Sequence, residues 1–137
     1  MKYFLDTNVF LRMAAVDDKR ELLVCKEILN KARQGEIQAV TSGIVLAELN
    51  WVLRTYYHFP KDRQVRILED TLHLSGLDFT DEYNWRLAVQ LYKTINIKYI
   101  DAAIASIPQI AGGEWTVVSY DEDFRKLPVK WVKPGEL

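Results

Sequence analysis

The sequence has a single cysteine, Cys25, only two histidines, His58 and His73, and no apolar run near the roughly 20 residues that a bilayer span requires. One thiol excludes an internal disulfide and suits a reducing compartment. Zinc is disfavoured, because its sites draw on Cys and His, and neither histidine has His-x-x-x-His or Glu-x-x-His spacing. Cys25 lies on the apolar stripe of a predicted helix and reads as a small core residue. Walker loops, Gly-x-Gly-x-x-Gly turns and Gly-x-Ser-x-Gly elbows are all missing, which removes the nucleotide-cradle and serine-hydrolase readings. No sign of charge dominates: 18 basic residues face 19 acidic ones, a net -1, so contact with a polyanion must be local. The start Met1-Lys2-Tyr3-Phe4-Leu5-Asp6 meets an acid too early for a signal-peptide core, and a cytoplasmic protein without membrane contact is expected.

What is present suits one compact domain over 1–137, since a 49% hydrophobic fraction supplies a core for several helices and a sheet. Tyr3 to Leu5 reads as a short buried strand leading into a helix over Asn8 to Ala15. Asp18 and Glu21 have capping-box spacing ahead of a helix with Leu22, Leu23, Cys25, Ile28 and Leu29, which Gly35 stops. Ile37 to Thr41 is a second strand. Ser42 is then placed to cap a long helix, from Ile44 through Leu53, apolar enough to be buried on more than one face. Pro60 reads as the first residue of the next helix, running toward Gly76. Leu77 to Thr80 is a third strand, Asp81 a cap for the helix through Trp85 and Tyr92, and Tyr99 to Ile107 a helix that Pro108 ends or kinks. Trp115 to Ser119 is a fourth strand and Val129 to Val132 an edge strand. Strands alternating with helical crossovers imply an α/β fold with a mainly parallel sheet covered on both faces.

Four acids stand out against this frame. Asp6 closes the first strand, Glu48 lies inside an apolar helix, Asp101 opens a helix, and Asp121 follows the fourth strand. Ligands of such sheets bind at the carboxyl ends of the strands, which places Asp6 and Asp121 there. Ala102, Ala103 and Ala105 allow the helix of Asp101 to approach closely, and its dipole favours a carboxylate in the first turn. Glu48 is the strongest anomaly, because Ile44, Val45, Trp51 and Val52 surround it with apolar surface and an unpaired acid there is costly. Alone, each Asp is most often a turn or cap residue. Together they point to a hard divalent cation, since clustered carboxylates resist ionising unless one neutralises them. Arg12 and Arg125 are the basic residues nearest these motifs and thus the candidates for substrate phosphate, with Arg54, Lys93, Lys98 and Lys126 as further surface charge. Tyr56, Tyr57 and Trp85 offer base stacking or a dimer face.

The motifs Leu5-Asp6-Thr7-Asn8, Thr41-Ser42 leading to Glu48, Tyr99-Ile100-Asp101-Ala102-Ala103-Ile104-Ala105 and Ser119-Tyr120-Asp121-Glu122-Asp123-Phe124 closely resemble the PIN-domain family, in particular its small VapC-type toxin ribonucleases. This resemblance covers essentially the whole chain. It implies a three-layer α/β/α sandwich, a Mg²⁺ or Mn²⁺ site and endoribonuclease chemistry on RNA. It also implies a homodimer or higher homo-oligomer and a small antitoxin partner. Matched by motif, Asp6, Glu48, Asp101 and Asp121 are the catalytic, metal-binding acids and Asp123 a fifth. Thr7 and Ser119 are candidates to orient carboxylates, with backbone capping the competing role. Other readings stay open: a non-toxin nuclease of the same family, or a catalytically silent nucleic-acid-binding or assembly module. An aspartyl phosphoryl-transfer protein fits poorly, because Asp6-Thr7-Asn8 lacks the second Asp such sites use.

Overall fold

In a computed structural model, which describes residues 1–15 and 17–137, strands and helices alternate along the chain. Strands β1 (Lys2–Leu5), β2 (Gln38–Thr41), β3 (Leu77–Phe79), β4 (Trp115–Val118) and β5 (Trp131–Val132) form one sheet in the order β3-β2-β1-β4-β5. All four pairings are parallel, with Lys2 opposite Gln38 and Leu5 opposite Val118. Helices α1 (Thr7–Ala14), α2 (Lys19–Gln34), α3 (Gly43–Thr55), α4 (Lys61–Leu72), α5 (Trp85–Thr94), α6 (Tyr99–Ala105) and α7 (Pro108–Ala111) complete a three-layer α/β/α sandwich. Short 3-10 turns follow β4 and β5, at Glu122–Lys126 and Pro134–Glu136. Among the described residues, no helix is long and apolar enough to cross a membrane.

The central strands are the most apolar, as a parallel sheet covered on both faces demands. Phe4, Leu5, Val117 and Val118 are fully buried, and Val9, Leu49, Leu53, Ile104 and Phe124 pack with them into one core. Cys25 belongs to the same core, as its place on the apolar stripe of α2 suggests. Asp18 caps α2 by accepting the Arg20 and Glu21 amides, and Gly35 closes it in the left-handed conformation, φ 78°.

Several boundaries differ from the sequence reading. Ser42 does not cap α3 with its side chain; the amide of Gly43 donates instead to Oδ1 of Asp81, at 2.8 Å. Asp81 is therefore not the cap of α5, a role taken by Asn84, which accepts from the Leu87 amide at 3.1 Å. A loop residue from beyond β3 thus satisfies the first amide of α3. Helix α3 buries Val45, Leu49 and Leu53 along one stripe and leaves Trp51 exposed at 59%, so it is covered on a single face. Pro60 is the extended residue before α4 rather than its first helical one, and α4 stops at Leu72. Helix α6 ends at Ala105, two residues short of Ile107, and Pro108 opens the separate helix α7 because its ring fits a first helical turn but not an interior. The last strand is confined to Trp131–Val132, and pairs with β4 at the sheet edge.

Candidate functional site

β1 and β4 are neighbours, yet the chain leaves them in opposite senses, from β1 outward to β2 and β3, and from β4 outward to β5. Such a switch point opens a crevice at the carboxyl ends of the two strands. Asp6 leaves β1 there, its amide donating to the Val118 carbonyl at 3.1 Å, and Ser119 to Asp121 leave β4 beside it.

Asp6 is buried, 4% exposed, and caps α1 by accepting the Thr7 amide on Oδ1 at 2.8 Å. Its other oxygen, Oδ2, accepts the Ser119 hydroxyl at 2.6 Å. Burial pushes the carboxyl up to about 6; the two hydrogen bonds and Lys98 counter this, while Glu48 adds to it. Ser119 Oγ also accepts the Asp121 amide at 3.0 Å, and Asp121 Oδ1 in turn accepts the Asp123 amide at 2.9 Å. One hydroxyl thus ties both strand-end acids together. Ser119 and Thr7, singled out in the sequence, both touch the carboxylates.

Glu48 comes from the second turn of α3, where its side chain is partly covered. Thr7 donates its hydroxyl to Oε1 at 2.5 Å, and Oε2 lies 3.8 Å from Nζ of Lys98. The same ammonium is 3.3 Å from Oδ2 of Asp121. Desolvation works against the charge on Lys98, but Asp101, Glu48 and Asp121 outweigh it and raise its pKa, so the group stays an ammonium. By sequence alone, Lys98 ranks only as one of several scattered basic residues. Its signal is position: it immediately precedes α6, three residues before Asp101, and so shares that end of the helix.

Asp101 is 1% exposed, and its Oδ2 has no hydrogen-bond partner among the described residues. Burial, reinforced by Asp6 and Asp121 and opposed by Lys98, carries its carboxyl up to about 8. For Asp121, the amide of Asp123 and the Lys98 ammonium overcome desolvation and hold the carboxyl below its ordinary value. Oxygens of Asp101, Asp121 and Asp123 lie within 4.8 Å of one another. Asp6 and Glu48 adjoin this trio through Ser119, Thr7 and Lys98. An all-oxygen donor set around an orphaned, buried carboxylate oxygen fits a hard divalent cation and no soft one.

The arginines that the sequence nominated for phosphate have partners of their own. Arg12 is ion-paired with Glu21 and lies over the Tyr120 ring, 5.6 Å from its centroid. Arg125 is exposed, bonding Glu122 at 3.1 Å and lying 5.7 Å from the Trp131 ring centroid. His73 holds the Glu69 carbonyl at the end of α4, and His58 sits in the turn after α3, so neither belongs to the acidic crevice.

The family model for the PIN domain matches residues 3–130. No curated protein matches the chain. Among solved structures, VapBC2 from Rickettsia felis, bound to a promoter DNA fragment, superposes with a TM-score of 0.69 at 22% identity, over 97% of this chain and 98% of that one. VapC20 from Mycobacterium tuberculosis, described as a sarcin-ricin loop cleaving toxin, gives 0.66 at 17% identity over 96% and 99%. VapBC-1 from nontypeable Haemophilus influenzae gives 0.62 at 15% identity over 98% and 99%.

Proposed function

The chain belongs to the PIN-domain family, and from that premise we propose that it is a divalent-metal-dependent endoribonuclease, the toxin of a type II toxin-antitoxin pair. The observation that carries this reading is Asp101: a buried carboxylate with one oxygen unpartnered, facing Asp121 and Asp123 at the mouth of the sheet's switch point. A cation there would neutralise the cluster and satisfy that oxygen, which supports the reading. RNA as substrate is supported by the cleaving toxin from M. tuberculosis, and an antitoxin partner by the two VapBC complexes.

Asp101, Asp121 and Asp123 would hold Mg²⁺ or Mn²⁺, with Asp6 and Glu48 completing the negative surround. A divalent ion bound there supplies Lewis-acid activation of water and neutralises charge on the phosphodiester. Everything else is positioning by this chain. Ser119 fixes Asp6 while Thr7 fixes Glu48, holding both carboxylates in place beside the trio. Lys98 adds a positive charge on the same side, where phosphate oxygens must pass. The protein acts as one domain spanning 1–137, in the cytoplasm, and its exposed Trp85, Val89 and Tyr92 on α5 supply apolar surface for a homodimer.

Cleavage of labelled RNA and DNA with Mg²⁺, Mn²⁺ or EDTA tests the reading. RNA cleavage that needs a divalent ion and is lost in Asp6→Asn and Asp101→Asn is expected. Activity in EDTA overturns the metal dependence, full activity of both variants overturns the role of these acids, and no cleavage under any condition overturns the nuclease assignment. Growth arrest on expression, relieved by a neighbouring small protein, tests the toxin assignment separately.

A further inference from the structure

Two ammonium groups stand among the acids, and they are placed differently. Lys126 meets Asp123 Oδ1 at 3.1 Å while donating to the Asn96 carbonyl at 3.2 Å, so it is shared with the surface of a neighbouring turn. Lys98 bridges carboxylates from two separate segments, Glu48 of α3 at 3.8 Å and Asp121 beyond β4 at 3.3 Å. Its side chain stays more than half exposed, and its charge acts on Asp101 as well as on Glu48 and Asp121. On the Glu48 side, Oε1 accepts the Thr7 hydroxyl and Oε2 has an ion pair to Lys98 at 3.8 Å, beyond hydrogen-bond distance. On the Asp101 side, Oδ2 is buried and has no hydrogen-bond partner among the described residues.

Two-metal phosphodiesterases hold a second positive charge about 3.5–4 Å from the first, where it neutralises the same acidic surround. An ammonium is a compact point charge with three donors, and so can fill such a place, whereas a planar guanidinium fills it less well. Resting on the metal-dependent reading above, we propose that Lys98 is the pocket's built-in second cation: it occupies the position between Glu48 and Asp121, and the site takes one divalent ion, on Asp101, Asp121 and Asp123. Tethered to the start of α6, this charge does not dissociate when the divalent ion is scarce. It also keeps Glu48 and Asp121 from repelling each other in the metal-free protein. Lys98 is thus a positioning residue for the acids.

Mn²⁺ binding to the full chain, followed by calorimetry and electron paramagnetic resonance, tests this without measuring hydrolysis. The parent protein is expected to bind one Mn²⁺ in the pocket, and Asp101→Asn to lose it. Lys98→Gln and Lys98→Met are expected to bind two, with spin coupling between adjacent ions, while Lys98→Arg stays at one. A single ion in both neutral variants, or two in the parent, overturns the role of Lys98 and leaves the metal reading standing. No ion in the parent overturns both. Two neutral variants of different polarity guard against loss of folding in one of them, which thermal melts report.

Discussion

Ser119 donates its hydroxyl to Oδ2 of Asp6 across 2.6 Å, joining the ends of β4 and β1 over a sequence separation of 113 residues. Oγ of Ser119 also accepts the Asp121 amide, so a single buried side chain sets the distance between two acids that the chain delivers from different strands. Ser119→Ala leaves the buried Asp6 oxygen without its donor. A stability loss of about 1–3 kcal/mol is expected from the unmet hydrogen bond. The Asp6 carboxyl also moves further up, since one of the bonds holding it down is gone. Urea unfolding and carboxyl NMR titration measure the two effects.

Thr7 to Glu48 is the corresponding contact on the helix side of the pocket. Thr7→Val keeps the shape and deletes the donor, whereas Thr7→Ser keeps the hydroxyl. We expect Thr7→Val to lower metal affinity or activity by about 10–100-fold, as loss of a ligand-orienting bond typically does, and Thr7→Ser to retain most of it. Equal activity of the two variants contradicts the positioning role.

In the metal-free protein, stability should fall as pH rises. Both buried acids are raised above their ordinary 3.8, Asp6 to about 6 and Asp101 to about 8, so the folded state holds protons more tightly than the unfolded chain does. Their stabilisation is full below about pH 4 and is lost as the pH passes first the Asp6 and then the Asp101 value. Each tenfold difference in proton affinity between the folded and unfolded states corresponds to about 1.4 kcal/mol, so a loss of at least about that size is expected. Chemical denaturation in EDTA across this range reads it, and saturating Mg²⁺ should flatten the slope by favouring the ionised acids.

Asp101→Asn separates stability from function. Replacing a carboxylate that is costly to ionise in its buried setting should leave the metal-free fold at least as stable as the parent near pH 8. Nuclease activity should drop by about 100-fold or more, the scale on which loss of a catalytic electrostatic group acts. A destabilised yet active variant contradicts both parts.

Gly76 and Gly35 both have positive φ, 84° and 78°, but only Gly76 lies against backbone. A Cβ there meets the Ala32 carbonyl oxygen at 2.3 Å, whereas one on Gly35 meets nothing within 4 Å. Gly35→Ala should cost about 1 kcal/mol for the left-handed conformation alone. Gly76→Ala should cost at least twice that, because α2 must move away from the turn before β3, and thermal unfolding compares them directly.

Local chemistry made much of this legible. A carboxylate at the end of an apolar strand, a Glu among aliphatic helix neighbours and an Asp before Ala102 and Ala103 each depend on residues a few positions away. Strands alternating with helical crossovers indicated the parallel sheet, and the strand-end positions of Asp6 and Asp121 placed them at its crevice. Where caps were misassigned, Asp81 is engaged by the distant Gly43 amide and leaves the α5 cap to Asn84. Lys98 was hidden for the same reason: its partners Glu48 and Asp121 stand on other elements.

The sequence by itself determined which acids exist, where they fall on strands and helices, and the alternation behind the architecture, because periodicity, caps and strand ends act over a few residues. Only the tertiary structure decided which oxygens are bonded and which is left bare. That follows from desolvation and charge pairing, which depend on distance in space: among the described residues Asp101 Oδ2 has no hydrogen-bond partner, while Glu48 Oε1 is bonded by Thr7, which folding brings from elsewhere in the chain.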